Sequence, residues 1–232
     1  MTDTGGTATV LTIDTSTGSV VTGVVRLGPG GPRPLAQRVV DDHRRHAEVL
    51  TTLIKEALAE ASVTGGELDA VIVGCGPGPF TGLRVGMATG AAYADALDLP
   101  VYGVCSLDAI AAAEPQAVGD GPVPTMLVVT DARRREVYWA RYDHGRRVAG
   151  PEVSRPDELA AALAGDPPAV VVGDPAFTSR FGPAGTATVP TPAALAAVGA
   201  ELLGTEPAPL TPLYLRRPDA VELKDQRRKS LL

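Results

Sequence analysis

Three short stretches before residue 42 are dominated by apolar, β-branched residues: ATVLTIDTS, GSVVTGVVRL and PLAQRVV. Gly and Pro punctuate them, so three strands are expected over residues 8–40. The link Asp14-Thr15-Ser16-Thr17-Gly18 is short and polar, which makes the first pair an antiparallel hairpin. From His46 to Ala61 the period changes. Val49, Leu50, Leu53, Ile54, Ala57, Leu58 and Ala61 form one apolar stripe, with Glu48, Thr51, Thr52, Lys55, Glu56 and Glu60 opposite. That is an amphipathic helix. The segment VIVGCGPGPFTGLRVGMATG, residues 71–90, then reads as a buried strand, a Gly/Pro loop and a helix from Phe80 to about Leu97. Within that helix Gly82, Gly86 and Gly90 recur every fourth residue. Each costs about 1 kcal/mol relative to Ala, which makes sense where another backbone comes close. A contact within the lobe and a contact across an interface both fit the spacing.

A short strand follows from Pro100 to Val104, then a helix from Ser106 to about Ala113. After the Gly/Pro-rich stretch 114–124 the pattern restarts. TMLVVTDARRREVYWARYD reads as strand, turn, strand, and residues 147–153 add a third strand. A helix over 156–164, a strand over 169–172 and a helix over 192–203 complete the chain. Three strands, helix, strand, helix thus occurs twice, the second copy shortened. The expected architecture is α/β with two lobes, residues 1–105 and residues 106–232 with a basic tail.

Composition narrows the function. Hydrophobic residues make up 44% of 232, enough for a real core, while aromatics are only 4%. The formal net charge of −6 argues against a nonspecific nucleic-acid coat. Cys75 and Cys105 lie beside strand-like segments and read as buried free thiols of a cytoplasmic protein. No apolar run approaches a membrane span, and Arg84 and Asp95 exclude the glycine-striped helix as one.

Candidate chemistry is sparse. The Asp14–Ser16 turn suits a hydrated cation or phosphate oxygens, and equally an Asx turn between strands. The Gly74–Gly82 loop, with Gly76 and Gly78 at its centre, precedes a helix N-terminus and so is a phosphate cradle or a structural loop. It lacks the Gly-Lys-Ser/Thr of a Walker loop, and Pro77 and Pro79 break a dinucleotide fingerprint. His43 and His46 have the wrong spacing for a zinc helix. Arg133, Arg134 and Arg135 form a basic hairpin tip, either solvated or facing phosphate or RNA. Arg216 to Lys229 reads as a basic tail. No nucleophile–base set or metal spacing stands out.

IDTST, HAEVL, GPGPFTGLRVG, VYGVCSLDAIA, DARRREVYWARY and PLYLR, in that order along nearly the whole chain, resemble the TsaB family. The resemblance implies an actin-like, Hsp70-like, sugar-kinase-like (ASKHA) fold of two RNase H-like lobes. It implies a noncatalytic dimerisation subunit, without cofactor, of the machinery that forms threonylcarbamoyladenosine next to the tRNA anticodon. Its implied partners are a catalytic TsaD-type paralogue and a TsaE-type ATPase, with tRNA reached through the complex; without the paralogue, the patch it covers could pair with itself as a homodimer, a state the sequence leaves open. In the paralogue the segment matching VYGVCSLDAIA carries two metal-binding histidines; Ser106 and Ile110 stand in their places. No catalytic residue or metal site is therefore expected, and Asp14, Ser16, Gly76 and Gly78 are expected to be a vestigial phosphate site. Nucleotide affinity should be weak or nil. The resemblance also implies packing on the paralogue through helices 46–61 and 80–97. The expected ridge is His46, Leu50, Leu53 and Ile54, beside Phe80, Leu83, Arg84, Gly86 and Met87. A free-standing ATP-binding phosphotransferase of the same fold is the alternative function; a peptidase would lack its nucleophile set.

Overall fold

A computed structural model describes residues 7–41, 46–115, 117–118, 121–122 and 124–216. Strands β1 (Ala8–Asp14), β2 (Ser19–Leu27) and β3 (Arg33–Asp41) form the expected meander. Helix α1 (His46–Ala61), β4 (Ala70–Gly74), α2 (Phe80–Ala96), β5 (Val101–Val104) and α3 (Ser106–Ala113) follow. The order in the first sheet is β3-β2-β1-β4-β5. β4 joins β1 in parallel, with Val10 opposite Ala70 and Ile13 opposite Val73, and β5 is parallel to β4. β1, β2 and β4 are buried on both faces, which accounts for their continuous apolar runs.

After the two-residue strands β6 (Ala117–Val118) and β7 (Gly121–Pro122), the pattern repeats. β8 (Thr125–Asp131), β9 (Val137–Asp143) and β10 (Arg146–Ser154) are antiparallel, followed by α4 (Pro156–Leu163) and β11 (Val170–Gly173). β11 joins β8 in parallel, so the second sheet, β10-β9-β8-β11, is the first without its fifth strand. A one-turn helix α5 (Pro175–Thr178) and α6 (Pro192–Gly199) follow, and two short 3-10 helices lie at Gly65–Glu67, between α1 and β4, and at Ala200–Leu202, after α6. α5 has no counterpart among the elements expected from the sequence.

Each sheet lies between two apolar clusters. α1 and α2 lie side by side over one face of the first sheet, and Leu50, Ile54 and Leu83 meet Leu11, Ile13 and Val73 there. The other face is covered from the far end of the chain: Ala194, Leu195 and Ala196 of α6 pack on Val10, Val21 and Ile72. The two sheets draw their strands from either side of residue 105, whereas α6 belongs to the first sheet's core. No helix among the described residues is long and apolar enough to cross a membrane.

Candidate functional site

The site grows from the end of β1, where Asp14 is fully buried. Its Oδ1 accepts the Ser16 backbone N–H at 2.8 Å and the Ser16 hydroxyl at 2.7 Å, an Asx turn. Its Oδ2 accepts the Ser106 hydroxyl at 2.6 Å. The Ser106 oxygen in turn accepts the Gly76 N–H at 3.1 Å, and the Ser106 N–H donates to the Gly76 carbonyl at 2.8 Å. Ser16 and Ser106 are buried as well. The structure thus brings Asp14, Ser16, Gly76 and Gly78 together and closes them on one another. A Cβ on Gly74 would overlap Asp14 Oδ2, and one on Gly78 would overlap the Ser16 backbone. The glycine loop presses against the turn. Ile110, four residues on from Ser106, is fully buried in the second lobe's core with Val128 and Ala140.

The glycine stripe of α2 points inward. The Thr15 hydroxyl donates to the Gly82 carbonyl at 2.7 Å and accepts the Gly86 N–H at 3.1 Å. A Cβ on Gly86 would overlap Thr15 Oγ1, and one on Gly90 would lie 2.5 Å from Val73 Cγ2. This corrects the expected partner ridge. Leu50, Leu53, Ile54, Leu83, Gly86 and Met87 are all buried in the lobe, because the apolar face of the sheet needs covering and these residues cover it. Of that ridge Phe80, 41% exposed, and Arg84 are at the surface; the His46 side chain lies outside the described residues, as do His43 and the tail beyond Arg216.

Residues 205–216 form a strap that joins the lobes, a role the PLYLR motif did not reveal locally. Leu210 packs into the first lobe, the Leu213 N–H donates to the Cys75 carbonyl at 2.9 Å, and Leu215 packs into the second lobe. Between them Tyr214 stacks on Phe80 with ring centroids 5.0 Å apart. Arg84 lies over the Phe80 ring at 3.8 Å, and its Nε donates to the Tyr214 hydroxyl at 3.1 Å. At the end of the strap, Arg216 donates to the Ala132 carbonyl at 2.5 Å and pairs with Glu136 at 3.2 Å. That contact pins the arginine turn, where Arg133, Arg134 and Arg135 all have φ between 51° and 64°. Three successive left-handed residues cost roughly 1–2 kcal/mol each, so the turn persists because its surroundings hold it. The Arg133 N–H donates to Asp131 Oδ1 at 2.7 Å, the second lobe's counterpart of the Asp14–Ser16 turn.

A cavity of about 550 Å³ opens beneath the strap, between β5, α3 and α6, lined in part by Cys75, Cys105, Asp108 and Arg147. The Tyr142 hydroxyl donates to Asp108 Oδ1 at 2.7 Å, and Arg147 donates to the same oxygen at 3.0 Å. Burial, then the nearby Asp108 carboxylate, raises the Tyr142 phenol well above its ordinary value. Burial pushes the Cys75 thiol up to about 12 and the Cys105 thiol to about 11. Both sulfurs are therefore protonated at neutral pH and poor nucleophiles.

Two lobes built on one strand pattern, each with an Asx-turn aspartate closing its first strand, define an actin-like, sugar-kinase-like protein. The family model described as TsaD, tRNA N6-adenosine threonylcarbamoyltransferase, matches residues 39–179. The tRNA threonylcarbamoyladenosine biosynthesis protein TsaB of Haemophilus influenzae is 30% identical over 171 residues, covering 68% of this chain and 69% of that one. An uncharacterized protein of Mycobacterium tuberculosis is 52% identical over 217 residues, 93% of this chain and 95% of its own. Among solved structures, YeaZ from Pseudomonas aeruginosa superposes with a TM-score of 0.70 at 26% identity, over 90% of this chain and all of that one. The chain belongs to the TsaB family.

Proposed function

We propose that the protein acts in the formation of threonylcarbamoyladenosine in tRNA as a noncatalytic subunit that binds and supports a TsaD-type transferase. The observation that carries this reading is the closed Asp14 turn. The Asp14 carboxylate accepts Ser16 and Ser106, and Gly74 and Gly78 pack on the turn, which supports a structural role for it in place of a phosphate-bound cation's ligand. Ile110, in the place of a metal-binding histidine of the paralogue, is core. The docking surface is the outer side of the α1/α2 pair, where Thr52, Lys55, Ala59, Ala88 and Ala92 are exposed. Small side chains on α2 let a partner helix approach closely. Phe80 and Arg84 sit at the N-terminal edge of this surface. Alone, the same face pairs with a second copy; in the complex a TsaE-type ATPase joins the pair.

The test is reconstitution. The chain, the paralogue and the ATPase are purified separately, mixed, and assayed for threonylcarbamoylation of an unmodified tRNA transcript. The chain should co-elute with the paralogue, and product should need both. Product from the chain without the paralogue, or failure to co-elute, overturns the reading.

A further inference from the structure

The first sheet ends at β5. The Val71 N–H donates to the Pro100 carbonyl at 2.9 Å, and the Cys75 N–H to the Val104 carbonyl at 2.8 Å. Backbone groups alternate in direction along a strand, so Tyr102 and Val104 face β4, while Gly103 and the Cys105 N–H face outward. Among the described residues, these two N–H groups and the Gly103 carbonyl have no backbone partner on the outer side. The strap passes this edge without pairing. The Tyr102 hydroxyl donates to its Thr205 carbonyl at 3.1 Å, and its Leu213 N–H goes to the Cys75 carbonyl. The gap left between them is the cavity of about 550 Å³, with Gly103, exposed on β5, and Cys105 on its wall.

The other walls of the cavity are apolar and acidic. Val198 and Leu202 pack with Tyr102 and Val104 on the α6 side of the sheet. Glu201, next to Leu202 in the chain, and Glu206 of the strap bring exposed carboxylates, without an ion-pair partner among the described residues. The guanidinium in the lining, Arg147, is already paired with Asp108 at 3.0 Å.

We propose that β5 takes up an extended, basic peptide segment of a partner protein, which joins the five-stranded sheet as a sixth strand between β5 and the strap. Its backbone pairs with Gly103 and Cys105, as an open sheet edge permits. Side chains alternate across a strand. Those on the α6 side therefore meet Val198 and Leu202, and a Lys or Arg among them meets Glu201 and Glu206. An acidic segment would face like charge, and a helix would bring no free backbone groups to the edge. The inference does not rest on the tRNA-modification reading, and the chain alone tests it.

The test titrates fluorescein-labelled Thr-Val-Thr-Lys-Thr-Val-Thr into the full chain, reading anisotropy and, by NMR, the exchange of single amides. Val, Lys and Val share one face of this peptide. Anisotropy should saturate below about 1 mM peptide. With Glu in place of Lys, the peptide should bind at least about tenfold more weakly, and Glu201→Lys/Glu206→Lys, checked by thermal melting, should reverse that preference. The Gly103 and Cys105 amides should exchange about tenfold more slowly in the bound chain, while Tyr102 and Val104 stay as they are. Two further peptides carry N-methyl groups on one or the other set of alternate residues. One should lose binding and the other keep it, because only one set of N–H groups faces β5; this arm decides the matter on the wild-type chain even where the charge-reversed variant does not fold. No saturation, binding without Gly103 protection, equal affinity for the Lys and Glu peptides, or equal behaviour of the two methylated peptides overturns the proposal. So does a Gly103 amide already protected without peptide: at every concentration it would show the strap closing the edge, and only at high concentration a second copy of the chain.

Discussion

Removing the Ser106 hydroxyl leaves Asp14 Oδ2 and the Gly76 N–H without their shared partner in a fully buried place. Ser106→Ala should therefore destabilise the fold by about 1–3 kcal/mol, read as a lower urea midpoint with an unchanged slope. An unaltered midpoint would mean that the closure of the turn is not what holds the carboxylate. The thiols make a second prediction. With Cys75 raised to about 12 and Cys105 to about 11 by burial, both states keep these protons below the ordinary thiol range. Above that range, the unfolded chain releases them while the folded chain retains them, so stability contributed by the thiols is lost as pH rises toward the folded values. The fall in urea midpoint between about pH 8 and pH 10 should be smaller in Cys75→Ala than in wild type. An identical fall in both would contradict it.

The two sides of α2 do different work, and substitutions on each should separate. Gly86→Leu forces a side chain into Thr15 and should cost roughly 1–3 kcal/mol of folding stability. Its effect on paralogue affinity, measured on protein still folded, should be small. Ala88, two residues on, is exposed. Ala88→Trp should leave the melting temperature within about a degree of wild type yet abolish co-purification with the paralogue. Full pull-down by folded Ala88→Trp would remove this face from the interface. Charge at Leu83 tests nothing of the interface, since Leu83 is fully buried under the sheet.

At the scale of the molecule, the lobes are coupled by α6 and the strap. α6 from the second half covers the first sheet, and the strap enters both cores. Arg216 ends this latch at the arginine turn. Arg216→Ala should cost about 1–2 kcal/mol, because it leaves the Ala132 carbonyl and Glu136 unanswered. Amide exchange should speed up over residues 131–137 before it does in β1 or β4. Uniform protection would show that the strap does not hold the turn.

Much of the fold is legible from one stretch of chain at a time. Helix α1 begins and ends at the residues its apolar stripe marks, the meander follows its turn chemistry, and the second lobe repeats the first. Period and punctuation are local properties, set by backbone sterics and side-chain spacing within a few residues. The six motifs in order also carried the family. What the tertiary structure alone decided are meetings of residues far apart in the chain. Asp14 meets Ser106 across 92 positions and Arg84 meets Tyr214 across 130, and no periodicity encodes either. The stripe Leu50, Leu53, Ile54, Leu83 and Met87 shows the same limit. Spacing says that one helix face is apolar, but only the assembled sheet decides that this face is consumed by the core, leaving the polar and small-residue side outward. The burial of β1 and β4 on both faces creates that demand, and the helices nearest in sequence meet it first.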